Sequence, residues 1–229
     1  MERIHYSLLA ALFEYPQADY PQRVQDIAEF LEGRYAKAAS TLGQFQALLP
    51  ADDLLSMQEL FTRSFDVQAV TTLDIGYVLF GDDYKRGEML ANLNREHLQA
   101  GVDCGTELAD HLPNLLRLLA VLEDDDLIGD LVESILATAL RQMIGEFSSD
   151  RIEKRNVSYR KHYKTLIETP AQGTQTATLY QFALKSLYQV LKQDFTFTET
   201  IPLKIANDFL SSVGQENEIE ETASAQCAM

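Results

Sequence analysis

The sequence predicts an all-α protein, a single-domain helical bundle of the kind built around one core, and three observations favour this fold class. Apolar residues recur every three or four positions, as in the leucines between 112 and 122, rather than every second position. Alternating runs rich in Val, Ile and Thr, which are typical of strands, are nearly absent. No linker or internal repeat divides the chain. We therefore expect one helical domain over residues 1–213, followed over 214–229 by a disordered acidic tail.

Prolines and acidic capping residues predict where the first helices begin and end. A short apolar helix precedes Pro16, and a second helix opens near Pro21 in the first turn, where a missing backbone N–H is tolerated. A third helix follows Pro50, and Asp52 or Asp53 is suited to cap it. These three helices would each bury one apolar face.

The middle of the chain predicts three more helices. The fourth runs from about Asp83 to Ala100 and stops at Gly101, a residue typical of helix C-termini. The fifth starts around Asp110 with Pro113 in its first turn. The sixth spans about Leu127–Glu146 after an acidic turn and is apolar on more than one face, so we expect it to be the central and most buried helix.

Other segments are less regular. Residues 66–81 are apolar and aromatic, and their pattern does not predict a helix securely. Residues 148–164 are basic, and a solvated helix face explains them more simply than contact with an acidic partner. A last helix carries the apolar residues between Leu179 and Leu191.

Charge and cysteine content narrow the function classes. The chain has 19 Lys and Arg against 35 Asp and Glu, a net charge of -16 that repels phosphate backbones and disfavours nucleic acid as a partner. A cationic peptide would be attracted. Cys104 and Cys227 form neither a disulfide framework nor a CxxC motif, which fits a cytoplasmic location. The longest early apolar run, 8–13, is far below the roughly 20 residues of a membrane span, and Glu2 is atypical of a secretory signal.

Catalytic motifs are absent from the sequence. It contains no GxGxxG, P-loop, GxSxG or HExxH pattern. A helical di-iron site needs two Glu and His pairs three residues apart, and Glu2 with His5 is the single such pair. We therefore expect a protein that is not an enzyme.

One polar group contains the soft and hard ligand types that a metal site would use. Its dipeptide runs Asp then His, the reverse of the His-Asp order used by helical metal phosphohydrolases, so the spacing argues against a metal and we expect no cofactor in this chain. The group consists of His97, Cys104, Glu107, Asp110 and His111.

Taken on pattern alone, the notable polar residues have plain structural explanations. Asp110 would cap the fifth helix, and His111 would be a surface imidazole in its first turn. Asp66 would end a helix or lie in a turn, and Arg86 would pair with the aspartates at 82–83 across one helical turn.

Four segments of the first half carry a resemblance to a known family: LLAALFEYP at 8–16, LFTRSFD at 60–66, GDDYKRGEMLANL at 81–93 and ELADHLP at 107–113. They resemble the NarJ branch of the TorD/DmsD family of redox enzyme maturation proteins. The last segment is the most specific, because its Glu, Asp-His pair and following apolar helix match the family pattern.

This resemblance implies a cytoplasmic chaperone with the TorD/NarJ helical fold. Such proteins bind the N-terminal segment of the apo catalytic subunit of a molybdenum bis-guanine-dinucleotide oxidoreductase, which is or derives from a twin-arginine leader. They hold it for molybdenum cofactor insertion and assembly, as for nitrate reductase in anaerobic respiration or nitrate assimilation. The partner is thus a polypeptide, without nucleic acid or membrane insertion, and the chaperone is a monomer or a domain-swapped dimer.

The resemblance and the acidic charge together predict a peptide-binding groove between helices, with an acidic rim that meets cationic side chains. Asp66 and Asp110 would receive Arg or Lys, and Tyr77 would offer an apolar body with a polar tip. The residues expected in the groove are Phe65, Asp66, Tyr77, Arg86, Glu107, Asp110, His111 and Pro113.

Two other functions stay open from the sequence. One is a helical enzyme that binds or hydrolyses a nucleotide such as GTP, although no phosphate cradle is visible. The other is a structural subunit that remains in the mature enzyme complex.

Overall fold

The computed structural model describes residues 3–148, 150–152 and 178–197, and this part of the chain is mostly helical and contains no β-strand. The predicted all-α fold class is therefore confirmed. Most of the basic stretch 148–164, the boundary at residue 213 and the predicted acidic tail 214–229 lie outside the described residues. None of the described helices has the length and apolar character needed to cross a membrane.

Ten helices are described, together with one 3₁₀ turn and one π-helical stretch. They are α1 (His5–Ala10), the 3₁₀ turn (Ala11–Phe13), α2 (Tyr20–Arg34), α3 (Ala36–Leu48), α4 (Leu54–Phe65), α5 (Ile75–Phe80), α6 (Tyr84–Ala100), α7 (Leu112–Val121), α8 (Asp125–Gly129), the π-helical stretch (Asp130–Leu136), α9 (Ala137–Glu146) and α10 (Tyr180–Asp194).

Aspartates cap several of these helices as the sequence predicts. The Asp53 carboxylate accepts from the backbone N–H groups of Leu55 (3.1 Å) and Ser56 at the start of α4. Asp83 accepts from the first turn of α6, and Asp124 does the same for α8. At its other end α6 stops at Gly101, whose φ of 67° is the left-handed conformation that favours glycine.

The core contains two closely packed helix pairs, and α9 contacts one of them. Helix α3 packs along α10, helix α1 packs on α7, and α9 contacts both α10 and α5. The aromatic rings of Phe61, Phe65 and Tyr180 meet edge to face, with the Phe65 and Tyr180 centroids 4.9 Å apart. These rings tie α4 to the last described helix.

Two expectations from the sequence were incomplete or wrong. Helix α3 was not predicted, because small and polar residues between Ala38, Leu42 and Phe45 weaken its apolar periodicity. The most buried helix is α7, in which seven of 10 residues are buried, rather than the long rod 125–146, in which fewer than half are buried. The rod carries acidic side chains on its solvent face, so it borders the core instead of crossing it.

Candidate peptide-binding site

A cavity of about 590 Å³ opens between the end of the 3₁₀ turn, the end of α4 and the loop that precedes α7. Its size is that of an ordinary ligand or side-chain pocket. Its walls combine aromatic, acidic and small residues. The lining residues are Phe13, Glu14, Tyr15, Phe61, Asp66, Asp103, Cys104, Gly105, Thr106, Glu107, His111, Pro113, Asn114 and Arg117.

Three of the four segments that carry the family resemblance meet at this cavity. Segment 8–16 contributes Glu14 and Tyr15, segment 60–66 contributes Asp66, and segment 107–113 contributes Glu107 and His111. These segments are far apart in sequence, so only the fold brings them together. The fourth segment, 81–93, is connected to the cavity through Arg86, which donates to Asp74, the partner of the lining residue His111.

The cavity is acidic, with four carboxylates and one arginine among its lining residues. Asp66 and Glu107 form no ion pair with any residue that the structure describes. Although Asp66 is exposed, desolvation of its carboxyl by the surrounding walls, followed by repulsion from Glu107, raises its pKa above the ordinary value. A cation placed between these two carboxylates would relieve that repulsion.

The arginine of the cavity is already paired. Arg117 on α7 donates to one carboxylate oxygen of Glu14, and Arg23 on α2 donates to the other at 2.6 Å. Arg117 also donates to Asn114 at 2.9 Å, and the Asn114 amide donates to the carbonyl oxygens of Cys104 and Leu108. One wall is thus held rigid, and its positive charge is neutralised.

Apolar residues border the acidic part of the cavity. Tyr15 lies edge to face on Phe61, with 5.5 Å between the ring centroids, and remains 46% exposed. Val67 and Leu108, which directly follow Asp66 and Glu107 in the sequence, are also exposed. Exposed apolar side chains beside a polar cavity are typical of surfaces that bind another molecule.

Of the eight residues expected in the groove, four line the cavity: Asp66, Glu107, His111 and Pro113. The other four are not among its lining residues. Phe65 is a core residue, 4% exposed, and packs among the aromatic rings that join α4 to α10. Burial disfavours direct contact of Phe65 and Asp110 with a peptide, whereas contact of the half-buried Tyr77 and Arg86 stays a prediction.

Asp110 is fully buried, and its carboxylate is used inside the protein. Its Oδ2 accepts from the backbone N–H of Gly76 (3.1 Å) and from Nε of Arg86 (3.2 Å). The expectation that Asp110 caps the helix that follows it is therefore wrong, because it caps the first turn of α5 instead. A Cβ at Gly76 would lie 2.6 Å from this oxygen, so the contact requires glycine.

Arg86 on α6 has partners other than those expected from the sequence. Besides Asp110, its Nη2 donates to Asp74 at 2.9 Å, and its guanidinium lies over the ring of Tyr77 at 5.4 Å. The aspartates at 82–83 do not pair with it. Arg86 instead fastens α6 to the segments before α5 and α7.

Asp74 connects the pair formed by Arg86 and Asp110 to the cavity. Its Oδ1 lies 3.3 Å from Nδ1 of His111, and the two residues are also joined by an isolated antiparallel backbone bridge. The hydrogen bond from His111 lowers the pKa of Asp74, with help from the charge of Arg86 and against the effect of burial. His111 therefore lines the cavity while its other side is held by a carboxylate.

The five residues considered as a metal site do not converge. His97 is buried with Nε2 at 3.1 Å from the carbonyl oxygen of Ala109, and burial lowers its pKa. Asp110 faces Arg86, and burial raises the pKa of the Cys104 thiol. Within residues 3–148, 150–152 and 178–197 no three His, Cys, Asp or Glu side chains are grouped so that they could hold a metal ion.

Sequence reasoning missed several residues of the site, chiefly Glu14, Asp74 and Arg117. Glu14 lies within a segment that the resemblance had singled out, so that segment could have indicated it. Asp74 and Arg117 carry no local signal, because their partners are 37 and 103 residues away.

Neither a model of a protein family nor a curated protein matches this sequence.

Proposed function

We propose that this chain is a chaperone that binds the N-terminal segment of the apo catalytic subunit of a molybdenum bis-guanine-dinucleotide oxidoreductase. It holds this segment for cofactor insertion and assembly in the cytoplasm, and its helices adopt the TorD/NarJ arrangement. One observation carries the proposal: three separate segments that resemble the NarJ branch line a single acidic, partly aromatic cavity.

The chemistry of the cavity favours a peptide with basic and apolar side chains. A basic side chain fits between Asp66 and Glu107, which lack a partner cation in the described chain, and apolar side chains fit against Tyr15 and Phe61. The net charge of -16 adds long-range attraction for a cationic segment. Binding of this kind uses a preformed cavity and needs no covalent chemistry.

The test is isothermal titration calorimetry with a synthetic peptide of the N-terminal segment of a molybdoenzyme catalytic subunit from the same organism. We expect the double change Asp66→Asn and Glu107→Gln to weaken binding by about tenfold or more, since charge-assisted hydrogen bonds are lost. The salt dependence of binding should also decrease.

Asp130→Asn is the matched control, because it removes one exposed carboxylate that does not line the cavity. Unchanged affinity in the cavity variant, with the control behaving identically, would contradict the proposed site.

Affinity purification of the tagged protein from anaerobically grown cells tests the function itself. The expected partner is a cofactor-free catalytic subunit, identified by mass spectrometry. Fixed-stoichiometry recovery with the active, cofactor-loaded enzyme would indicate a structural subunit instead. Turnover of GTP by the pure protein would indicate an enzyme.

A further inference from the structure

The side chain of Asp74 is turned away from the helix that it precedes. Asp74 is the N-cap of α5, yet its carboxylate makes no capping bond to that helix. One oxygen accepts from Nη2 of Arg86 at 2.9 Å, and the other lies 3.3 Å from Nδ1 of His111. The cap of α5 comes from Asp110 instead, which leaves Asp74 available to connect two side chains.

The position of the proton on His111 follows from these contacts. Asp74 has a guanidinium on one oxygen, and an ionised carboxylate can only accept hydrogen bonds. Nδ1 of His111 must therefore be the donor, and the neutral imidazole carries its hydrogen on Nδ1. The remaining ring nitrogen, Nε2, is then an acceptor, and it has no hydrogen-bond partner among the residues that the structure describes.

The support behind Asp74 is rigid. Arg86 is fixed by Asp110 as well as by Asp74, and Asp110 is fixed by the backbone N–H of Gly76. The backbone bridge between Asp74 and His111 adds two hydrogen bonds. The Ile75 N–H donates to the Asp110 carbonyl oxygen at 3.0 Å, and the Leu112 N–H donates to the Leu73 carbonyl oxygen at 2.8 Å. The imidazole is therefore held by a continuous set of contacts.

We propose that Asp74 is a positioning residue of the peptide site: it orients His111 so that its unprotonated Nε2 accepts an N–H of the bound segment in the cavity. This inference rests on the proposed function for the identity of the ligand. It explains how Arg86 and Asp110 can matter for binding without contacting a peptide, since both act through Asp74. A carboxylate that orients one ring nitrogen and thereby defines the role of the other is a recurring device in binding sites.

The first test reads the tautomer directly, in the full chain without peptide. Nitrogen-15 NMR of labelled histidines in the wild-type protein, above the pH at which the imidazole protonates, should show His111 with hydrogen on Nδ1. Asp74→Asn should shift it toward the Nε2–H form, since the amide can donate where the carboxylate could only accept. Asp130→Asn should leave the tautomer unchanged, and an Nδ1–H form that persists in Asp74→Asn would overturn the proposal.

The second test is a double-mutant cycle on binding of the same N-terminal peptide. Asp74→Asn should weaken binding by up to about tenfold, the size expected for one hydrogen bond to a neutral acceptor. In a background of His111→Ala the same change should have little further effect, because Asp74 acts through the missing ring. Additive losses would show that Asp74 acts independently of His111 and would overturn the proposal.

The two tests separate this inference from the proposed function. Thermal unfolding of each variant shows whether a loss of binding reflects a loss of folded protein. If the wild-type chain does not bind the peptide while Asp74 still controls the His111 tautomer, the proposed client is wrong and the positioning of the imidazole stands. If the peptide binds and the tautomer is insensitive to Asp74, the proposed client stands and the role of Asp74 is refuted.

Discussion

Two polar clusters in this protein contain similar side chains but differ in burial and surroundings. The cavity-side cluster consists of Asp74, Arg86, Asp110 and His111. The terminal cluster consists of His5, Tyr6, Tyr35 and Asp194. Each places an aspartate beside a histidine, and each joins helices that are far apart in sequence.

The terminal cluster connects the last described helix, α10, to residues near the start of the chain. Asp194 at the end of α10 accepts from the hydroxyls of Tyr6 and Tyr35, each at 2.9 Å, and lies 2.8 Å from Nε2 of His5. The side chains of His5 and Asp194 are each 4% exposed. Burial alone would raise the pKa of Asp194, but the hydrogen bonds from His5, Tyr35 and Tyr6 outweigh it and lower the pKa.

The difference between the clusters lies in what they border. No residue of the terminal cluster lines the cavity, whereas His111 of the cavity-side cluster does. An aspartate with a histidine is therefore not by itself the mark of a site in this protein. The terminal cluster should contribute mainly stability, and the cavity-side cluster should contribute both stability and binding.

The largest effect should come from the terminal cluster. Replacing Asp194 by alanine leaves His5 and two tyrosine hydroxyls buried without their acceptor, and we expect a loss of about 3 kcal/mol in the free energy of unfolding. Chemical denaturation measures this loss. Asp130→Ala on the exposed face of the π-helical stretch is the control and should change stability little.

Peptide affinity of the folded Asp194→Ala protein should equal that of the wild type. A substantial loss of affinity at unchanged stability would reverse the roles assigned to the two clusters.

A smaller effect is expected from the glycine behind the cavity-side cluster. Gly76→Ala would place a methyl group 2.6 Å from Oδ2 of Asp110 and 3.2 Å from Cγ of Arg86, so we expect a destabilisation of about 2 kcal/mol together with weaker peptide binding. Gly87→Ala on α6 meets no atom within 4 Å and should stabilise the protein by about 0.5 kcal/mol. Equal effects of the two changes on unfolding would show that the Gly76 contact is unimportant.

The smallest effect is a pH dependence at the cavity. The pKa of Asp66 is raised above its ordinary value of 3.8 in the folded protein. At pH values between 3.8 and the raised pKa, the folded state therefore binds more protons than the unfolded state. The free energy of unfolding consequently falls as the pH rises through this range. Asp66→Asn should remove this decline. Asp74 and Asp194 act in the opposite direction, since their lowered pKa values mean that their stabilisation is lost as pH falls through them.

Denaturation profiles from acidic to neutral pH measure these slopes. If the slope of stability against pH is unchanged in Asp66→Asn, the cavity does not perturb this carboxyl. Asp103→Asn serves as the comparison at the same cavity, because the Asp103 carboxylate accepts a hydrogen bond from the Gly105 N–H.

The parts of this structure that depend on local sequence were predictable. Asp53 and Asp83 cap helices next to themselves, Gly101 ends α6, and Pro113 lies in the first turn of α7, because each acts within one helical turn. Helix α3 escaped prediction because its buried residues are few.

Residues whose partners are distant were not predictable in this way. Asp110 suits the cap of the following helix by position, but its partners are 24 and 34 residues away. Arg117 is a lining residue that only the assembled fold identifies, since its partner Glu14 is 103 residues away. Residues of segments 8–16, 60–66 and 107–113 line the cavity, but their individual contacts required the three-dimensional arrangement.

The π-helical stretch between α8 and α9 has a consequence for how this chain tolerates insertions and deletions. Its hydrogen bonds span five residues instead of four, so the rod from Asp125 to Glu146 holds a surplus residue relative to a regular α-helix. A surplus residue rotates the side chains that follow it about the helix axis, and those that follow it in α9 include the buried Leu140 and Met143. Deleting one residue within the stretch would restore regular geometry yet put the second half of the rod out of register with α5 and α10.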